Sequence, residues 1–80
     1  MPYNSRIVGH VIRDLRRKKG WSQEVLSGLA GMARSHLSEI ENGTKSANAE
    51  TLWRISEALG IRMSEMIRMA EQQTESRGPQ

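Results

Sequence analysis

Four polar side chains, Arg34, Ser35, Ser38 and Glu39, share one side of a short segment whose other side carries Leu37 and Ile40. With the two apolar residues turned inward on a helix of roughly 33–42, the four polar ones face outward on its first turns. Their chemistry suits the edge of a base pair. An arginine donates two parallel hydrogen bonds to O6 and N7 of a guanine, worth about 1–3 kcal/mol of discrimination. Ser35 and Ser38 are short enough to reach a base or a phosphate. Glu39 would be repelled by a phosphate. It therefore either accepts from a cytosine amine or holds Arg34, Arg17 or another arginine in place. His36 beside them reads as a polar surface residue.

Such a face needs a frame. Before it, Gln23-Glu24-Val25-Leu26-Ser27 opens a helix whose N-cap is Ser22, and Gly31 supplies the tight corner between the two helices. Val25, Leu26 and Leu29 are its expected inward set. Gly28 costs about 1 kcal/mol against alanine there, and its expected use is to admit a neighbouring helix. Leu26, Ala30, Met32, Leu37 and Ile40 must meet for the two helices to cross, and Ser27 must be small under the crossing. This is the pattern of a helix-turn-helix.

Helical periodicity extends over the whole chain, and no segment alternates like a strand. Val8, Val11, Ile12 and Leu15 form an apolar stripe ahead of Gly20, with Ile7 at its edge. Trp21 is expected in the core above the first two helices. After the breaker pair Asn42-Gly43 and the loop Thr44-Lys45-Ser46-Ala47, Asn48 caps a fourth helix carrying Leu52, Ile55, Ser56 and Leu59 inward. Gly60 closes it. A fifth helix starts near Arg62 or Met63 and presents Met63, Met66, Ile67 and Ala70. The expected domain is residues 1–71, and the polar run 72–80 is expected to be a disordered tail.

Charge is concentrated at the front. Residues 1–20 hold Arg6, Arg13, Arg16, Arg17, Lys18 and Lys19 against Asp14 alone, a net of +5, while the remaining residues sum to −2. This fits either a phosphate-facing surface or an ordinary solvated helix face. The absence of cysteine removes disulfides, thiolate metal sites and cysteine nucleophiles. Neither histidine has metal-ligand spacing, so no metal site is expected. Glu39 and Glu41 lie two apart and point to different sides of a helix. With no nucleophile triad and no phosphate-cradling glycine loop, no catalysis, cofactor or small-molecule ligand is expected. The opening Met1-Pro2-Tyr3-Asn4 carries no apolar secretory run, and no stretch approaches the roughly 20 apolar residues of a membrane span. A cytoplasmic location is the expectation.

Gln23-Glu24-Val25-Leu26-Ser27, Ala30-Gly31-Met32 and Leu37-Ser38-Glu39-Ile40-Glu41-Asn42-Gly43, followed by Thr51-Leu52, Ile55 and Ala58-Leu59-Gly60-Ile61, resemble the phage-repressor and Cro-like, or XRE, helix-turn-helix family. Small members of the controller kind in restriction–modification systems are similar in size. The resemblance covers about residues 7–70. It implies an all-α, five-helix, lambda-repressor-like DNA-binding domain acting as a homodimer on a pseudo-palindromic operator. It places base contacts at Arg34, Ser35, Ser38 and Glu39. Backbone contacts are expected from Gln23, with Ser22, Arg17, Lys45 and Thr44. It also implies an ion pair between Arg16 and Glu41, which sit on the flanks of the first and third apolar stripes. Two departures stand out: Ala33, which cannot cap, where the family has Ser or Thr, and Ala47 where it has Pro. The expected dimer surface is Trp53, Met63, Met66, Ile67, Met69 and Ala70, because Trp53 falls off its helix's inward stripe and a core this small gains from a second copy. The alternative class is a protein-interaction module, such as the antitoxin of a toxin–antitoxin pair.

Overall fold

The computed structural model describes residues 4–76, and all regular structure among them is helical. The elements are α1 (Ser5–Lys18), α2 (Gln23–Ala30), α3 (Arg34–Asn42), α4 (Ala49–Leu59) and α5 (Met63–Ser76). Three starts are capped by side chains. Asn4, Ser22 and Asn48 accept from the main-chain N–H groups of Ile7, Val25 and Thr51. Ala33 stands at the same point before α3 and makes no side-chain cap. Gly31, Gly43 and Gly60 end α2, α3 and α4 in the left-handed conformation, where a side chain would be strained.

The core is continuous. Ile12, Leu26, Leu37 and Ile55 are completely buried, and Val11, Ile40 and Met66 nearly so. α1 packs on α3 and α5, and α2 packs on α3 and α4. Ala47 is buried too, so the loop that lacks proline is fastened by a small apolar side chain. Trp21 is half-buried against the core.

The inward set expected for α2 is corrected. Leu26 is buried, but Val25 and Leu29 are 44% and 60% exposed. In this eight-residue helix the buried positions are Leu26, Ser27 and Ala30. Val25 and Leu29 lie about 100° of helix rotation behind Leu26 and Ala30, which turns them off the contact. Gly28 is corrected as well: a Cβ built on it meets nothing within 4 Å. The glycine that admits a neighbour is Gly9 of α1, whose Cβ would fall on the carbonyl oxygens of Ile40 and Glu41. α1 and α3 thus touch backbone to backbone. At the other end, α5 runs to Ser76, so residues 72–76 are helical rather than a disordered tail. Gln72 and Gln73 are good helix formers, and the Thr74 hydroxyl donates to the Ala70 carbonyl. Residues 77–80 lie outside the described ones.

The two glycines carry opposite expectations. Gly9→Ala forces two helix backbones apart, so it is expected to destabilise by about 2 kcal/mol or more, a drop of about 10 °C in a domain of this size. Gly28→Ala is exposed and unobstructed, and is expected to stabilise by about 1 kcal/mol. Thermal melts of the two variants check both signs.

Candidate nucleic-acid interface

The exposed face of α3 rests on a charged centre beneath it. Glu41 has no exposed side-chain surface. Its carboxylate accepts from Arg16 Nε at 2.8 Å and Nη2 at 2.9 Å, a bidentate pair. It also accepts from Gln23 Nε2 at 3.0 Å and Arg13 Nε at 3.4 Å. Arg16 spends a further N–H on the Trp21 carbonyl at 2.8 Å. Residues of α1, α2 and α3 therefore converge on one carboxylate. Burial by itself would push the Glu41 carboxyl upward. The hydrogen bonds from Arg16 and Gln23, the charge of Arg16 and the bond from Arg13 outweigh it and hold the carboxyl below its ordinary range. The same hydrogen bond, with the charge of Glu41 behind it, raises Arg16 against the opposing cost of burial.

Outward from this centre, Arg34 and Ser35 are exposed at the start of α3, and Ser38 and Glu39 are half-buried one turn on. Arg34 Nη1 donates to Gln23 Oε1 at 3.4 Å, which joins the openings of α2 and α3. Glu39 does not hold Arg34 or Arg17 as one reading had it. Its nearest cations are Lys45 Nζ, and His36 if protonated, each at 4.0 Å. Lys45 is thereby drawn from the loop to the same face. Thr44 is exposed, and its hydroxyl donates to the Glu39 carbonyl at the end of α3. Ser22 is occupied as the α2 cap, and Arg17 stands exposed at the end of α1. Gln23 and Arg34 are thus brought together, and Glu39 and Lys45 form a second, looser pair.

Gln23, expected to contact the DNA backbone, is also bonded within the protein. Its amide nitrogen is taken by Glu41 and its oxygen by Arg34, so the side chain is engaged within the protein at both ends. Arg13 is a residue the sequence reading missed. It bonds Glu41 and also donates to the Asn42 side chain at 2.6 Å, fastening the end of α3 to α1. Its place one turn before Arg16 and beside the Ile12 stripe was the available signal.

The dimer set is divided. Met66 and Ala70 are 1% and 6% exposed in the single chain, so they have no surface to give a second copy. They face α1 and α4 as part of the core. Met63, Ile67 and Met69 are half-buried, and Trp53 is 58% exposed. Trp53, Ile61, Met63 and Ile67 line an open groove of about 760 Å³ between α4 and α5.

No described helix is long and apolar enough to cross a membrane. Among the described residues, no group of three or more His, Asp or Glu side chains is placed to hold a metal ion.

The helix-turn-helix family model HTH_3 matches residues 12–66, from the core of α1 into α5. The chain belongs to this helix-turn-helix family. It is a DNA-binding transcriptional regulator of the XRE, Cro-like type. It is 32% identical over 62 residues to an uncharacterized HTH-type transcriptional regulator, y4dJ, of Sinorhizobium fredii, covering 78% of this chain and 80% of the relative. It is 32% identical over 69 residues to the control protein C.BamHI of Bacillus amyloliquefaciens, covering 84% and 85%. Two further relatives are longer, and the chain spans 58% and 40% of them. The crystal structure of the clp gene regulator ClgR from C. glutamicum superposes with a TM-score of 0.83 at 26% identity, covering 91% of this chain and 95% of that one. The five-helix fold is therefore that of known helix-turn-helix regulators.

The centre at Glu41 has a pH signature. Arg16→Met leaves a buried carboxylate short of its main partner, which typically costs about 3 kcal/mol or more. Glu41 titrates below its unfolded value, so the stability it contributes is present above that value, about pH 4.3. It is lost as pH falls through the lower, folded value. The melting gap between wild type and Arg16→Met is therefore expected to be full at neutral pH and to close in acid. A gap that stays constant with pH would mean that the ionised pair is not its source.

Proposed function

We propose that this chain binds a specific DNA sequence as a homodimer on a pseudo-palindromic operator, with α3 in the major groove. The observation that carries the reading is the outward run of exposed Arg34 and Ser35 and half-buried Ser38 and Glu39 on a short helix fixed from behind by a bidentate ion pair. A helix held in this way can offer its first turns to base edges without losing its angle. Arg34 is the reader of a guanine. Ser35, Ser38 and Glu39 contact neighbouring bases. Ser22, Arg17, Thr44 and Lys45 contact the phosphates, and the main-chain N–H groups opening α2 add a helix N-terminus to them. The reading includes no catalytic step and no cofactor, and it places the protein with the nucleoid in the cytoplasm.

The dimer is proposed to close over the groove between α4 and α5, around Trp53, Met63 and Ile67 with Met69 at its edge. A two-fold axis buries the same strip on both copies. It would set two recognition helices about 34 Å apart, one turn of duplex.

Selection from a random duplex pool is expected to return a pseudo-palindrome, and affinity for it is expected to fall steeply with salt as phosphate counterions are released. Arg34→Ala is expected to relax preference at one symmetric base position and to cost about 1–3 kcal/mol on the selected site. A uniform loss over all sequences would make Arg34 a phosphate contact instead.

Trp53→Ser with Ile67→Glu is expected to sediment as a monomer and to bind the full palindrome no more tightly than a single half-site. A variant that remains dimeric would place the interface elsewhere.

A further inference from the structure

Among the described residues, the ion pairs made by α4 and α5 are local. Arg54 reaches Glu50 at 2.6 Å and Arg68 reaches Glu65 at 4.0 Å, each about one turn along its own helix. Glu57 and Arg62 are both exposed and take part in no ion pair among the described residues. Both line the groove between α4 and α5. They stand at the end where the two helices are joined, Glu57 near the end of α4 and Arg62 at the entry to α5. Trp53 lies one turn before Glu57 on the same stripe of α4, and Met63 and Ile67 follow Arg62 on α5. The groove thus carries an acid on its α4 side and a base on its α5 side, beside an apolar strip. A partner that covered these charges with apolar surface would bury them unpaired, at a cost. The partner they suit brings a base to the α4 side and an acid to the α5 side. A second copy turned about a two-fold axis along the groove does so, because α4 of each copy then faces α5 of the other. An axis across the groove would set α4 against α4 and Glu57 against the apolar end of the other strip. The two charges therefore choose between two ways of closing the same surface.

We propose that Glu57 of each subunit pairs with Arg62 of the partner subunit, and that these two reciprocal ion pairs fix the direction of the two-fold axis and select a like chain as partner. The proposal rests on the reading that the dimer closes over this groove. It goes beyond that reading in naming what recognises the second copy and how the two are turned. Ion pairs at the rim of an interface add little affinity. Like charges brought together there are strongly disfavoured, so rim charges act mainly on the choice of partner. Two-fold symmetry makes each contact twice, and a single reversed residue therefore creates two repulsions. A chain with a similar apolar strip but different rim charges is rejected on the same ground.

The test reverses the two charges, singly and together, and measures dimerisation by sedimentation without DNA. Glu57→Arg and Arg62→Glu are each expected to weaken the dimer by about tenfold or more. The double variant re-forms both pairs in reverse and is expected to dimerise close to wild type. An equal mixture of the two single variants, distinguished by mass, is expected to give the heterodimer almost exclusively, because facing residues are again opposite in charge. Single variants that dimerise like wild type, while Trp53→Ser with Ile67→Glu is monomeric, would overturn the proposal and leave the groove as the interface. Weakened single variants whose mixture gives no heterodimer would overturn it too, since the two charges would then not face each other. If Trp53→Ser with Ile67→Glu stays dimeric, the groove reading fails first, and the proposal falls with it. Salt covers the case in which a reversed variant does not fold. Dimerisation is expected to weaken with rising ionic strength more steeply in wild type than in Glu57→Gln, which keeps the side chain's shape and removes its charge. Equal slopes would contradict the pairing.

Discussion

The structure depends on one buried negative charge. Glu41 lies near the end of a short helix, with no side-chain surface exposed to water. An ionised carboxylate in that place is tolerated only with donors around it. α1 supplies Arg16 and Arg13, and α2 supplies Gln23. Among the described residues, no buried side-chain polar atom is left without a hydrogen bond. Such a pair adds less net stability than its Coulomb energy suggests, because both ions were removed from water. Its effect here is geometric. Satisfying Glu41 requires α1, α2 and α3 to meet at one angle, which no apolar contact would demand as strictly.

The surrounding packing conforms to that angle. Gly9 lets the backbones of α1 and α3 touch beside the pair, and Arg13 fastens Asn42 at the helix end. Ser5 donates to the Gly43 carbonyl, closing the far side of the same contact. The apolar cluster of Ile12, Leu26, Leu37 and Ile40 fills the space beneath. What emerges is an α3 fixed along its buried side and free along its outer side. The exposed turns can then differ in sequence without disturbing the fold, which is the division of labour a sequence-reading protein needs.

Much of this is legible in the chain. The stripes of α1, α3 and α4, the caps Ser22 and Asn48, and the glycines ending α2, α3 and α4 all stand where periodicity and turn chemistry put them. The misread positions share a cause: a period gives a face but not which neighbour covers it. Val25 and Leu29 match an apolar face of α2, yet the contact with α3 and α4 is narrow and leaves them outside. Met66 and Ala70 match the same stripe as Met63 and Ile67, but one pair faces the core and the other edges the groove. Gly9 and Gly28 look alike along the chain, and only the path of α3 distinguishes them. Gln23 was placed correctly at the opening of α2, while the direction of its amide depends on the pair it meets in space.

The central claim is that the Arg16–Glu41 pair serves geometry more than stability. The most direct test is to replace both members together, Arg16→Met with Glu41→Leu, and to measure base discrimination on the selected duplex alongside the melting midpoint. Apolar replacement of a buried pair is often neutral or stabilising, so the double variant is expected to melt near the wild type. Without the charge to set α3 and Gln23, it is expected to lose most of its preference for the selected sequence while still binding duplex through phosphates. A double variant that keeps both its stability and its full discrimination would show that the apolar core alone sets the recognition helix, contradicting the account.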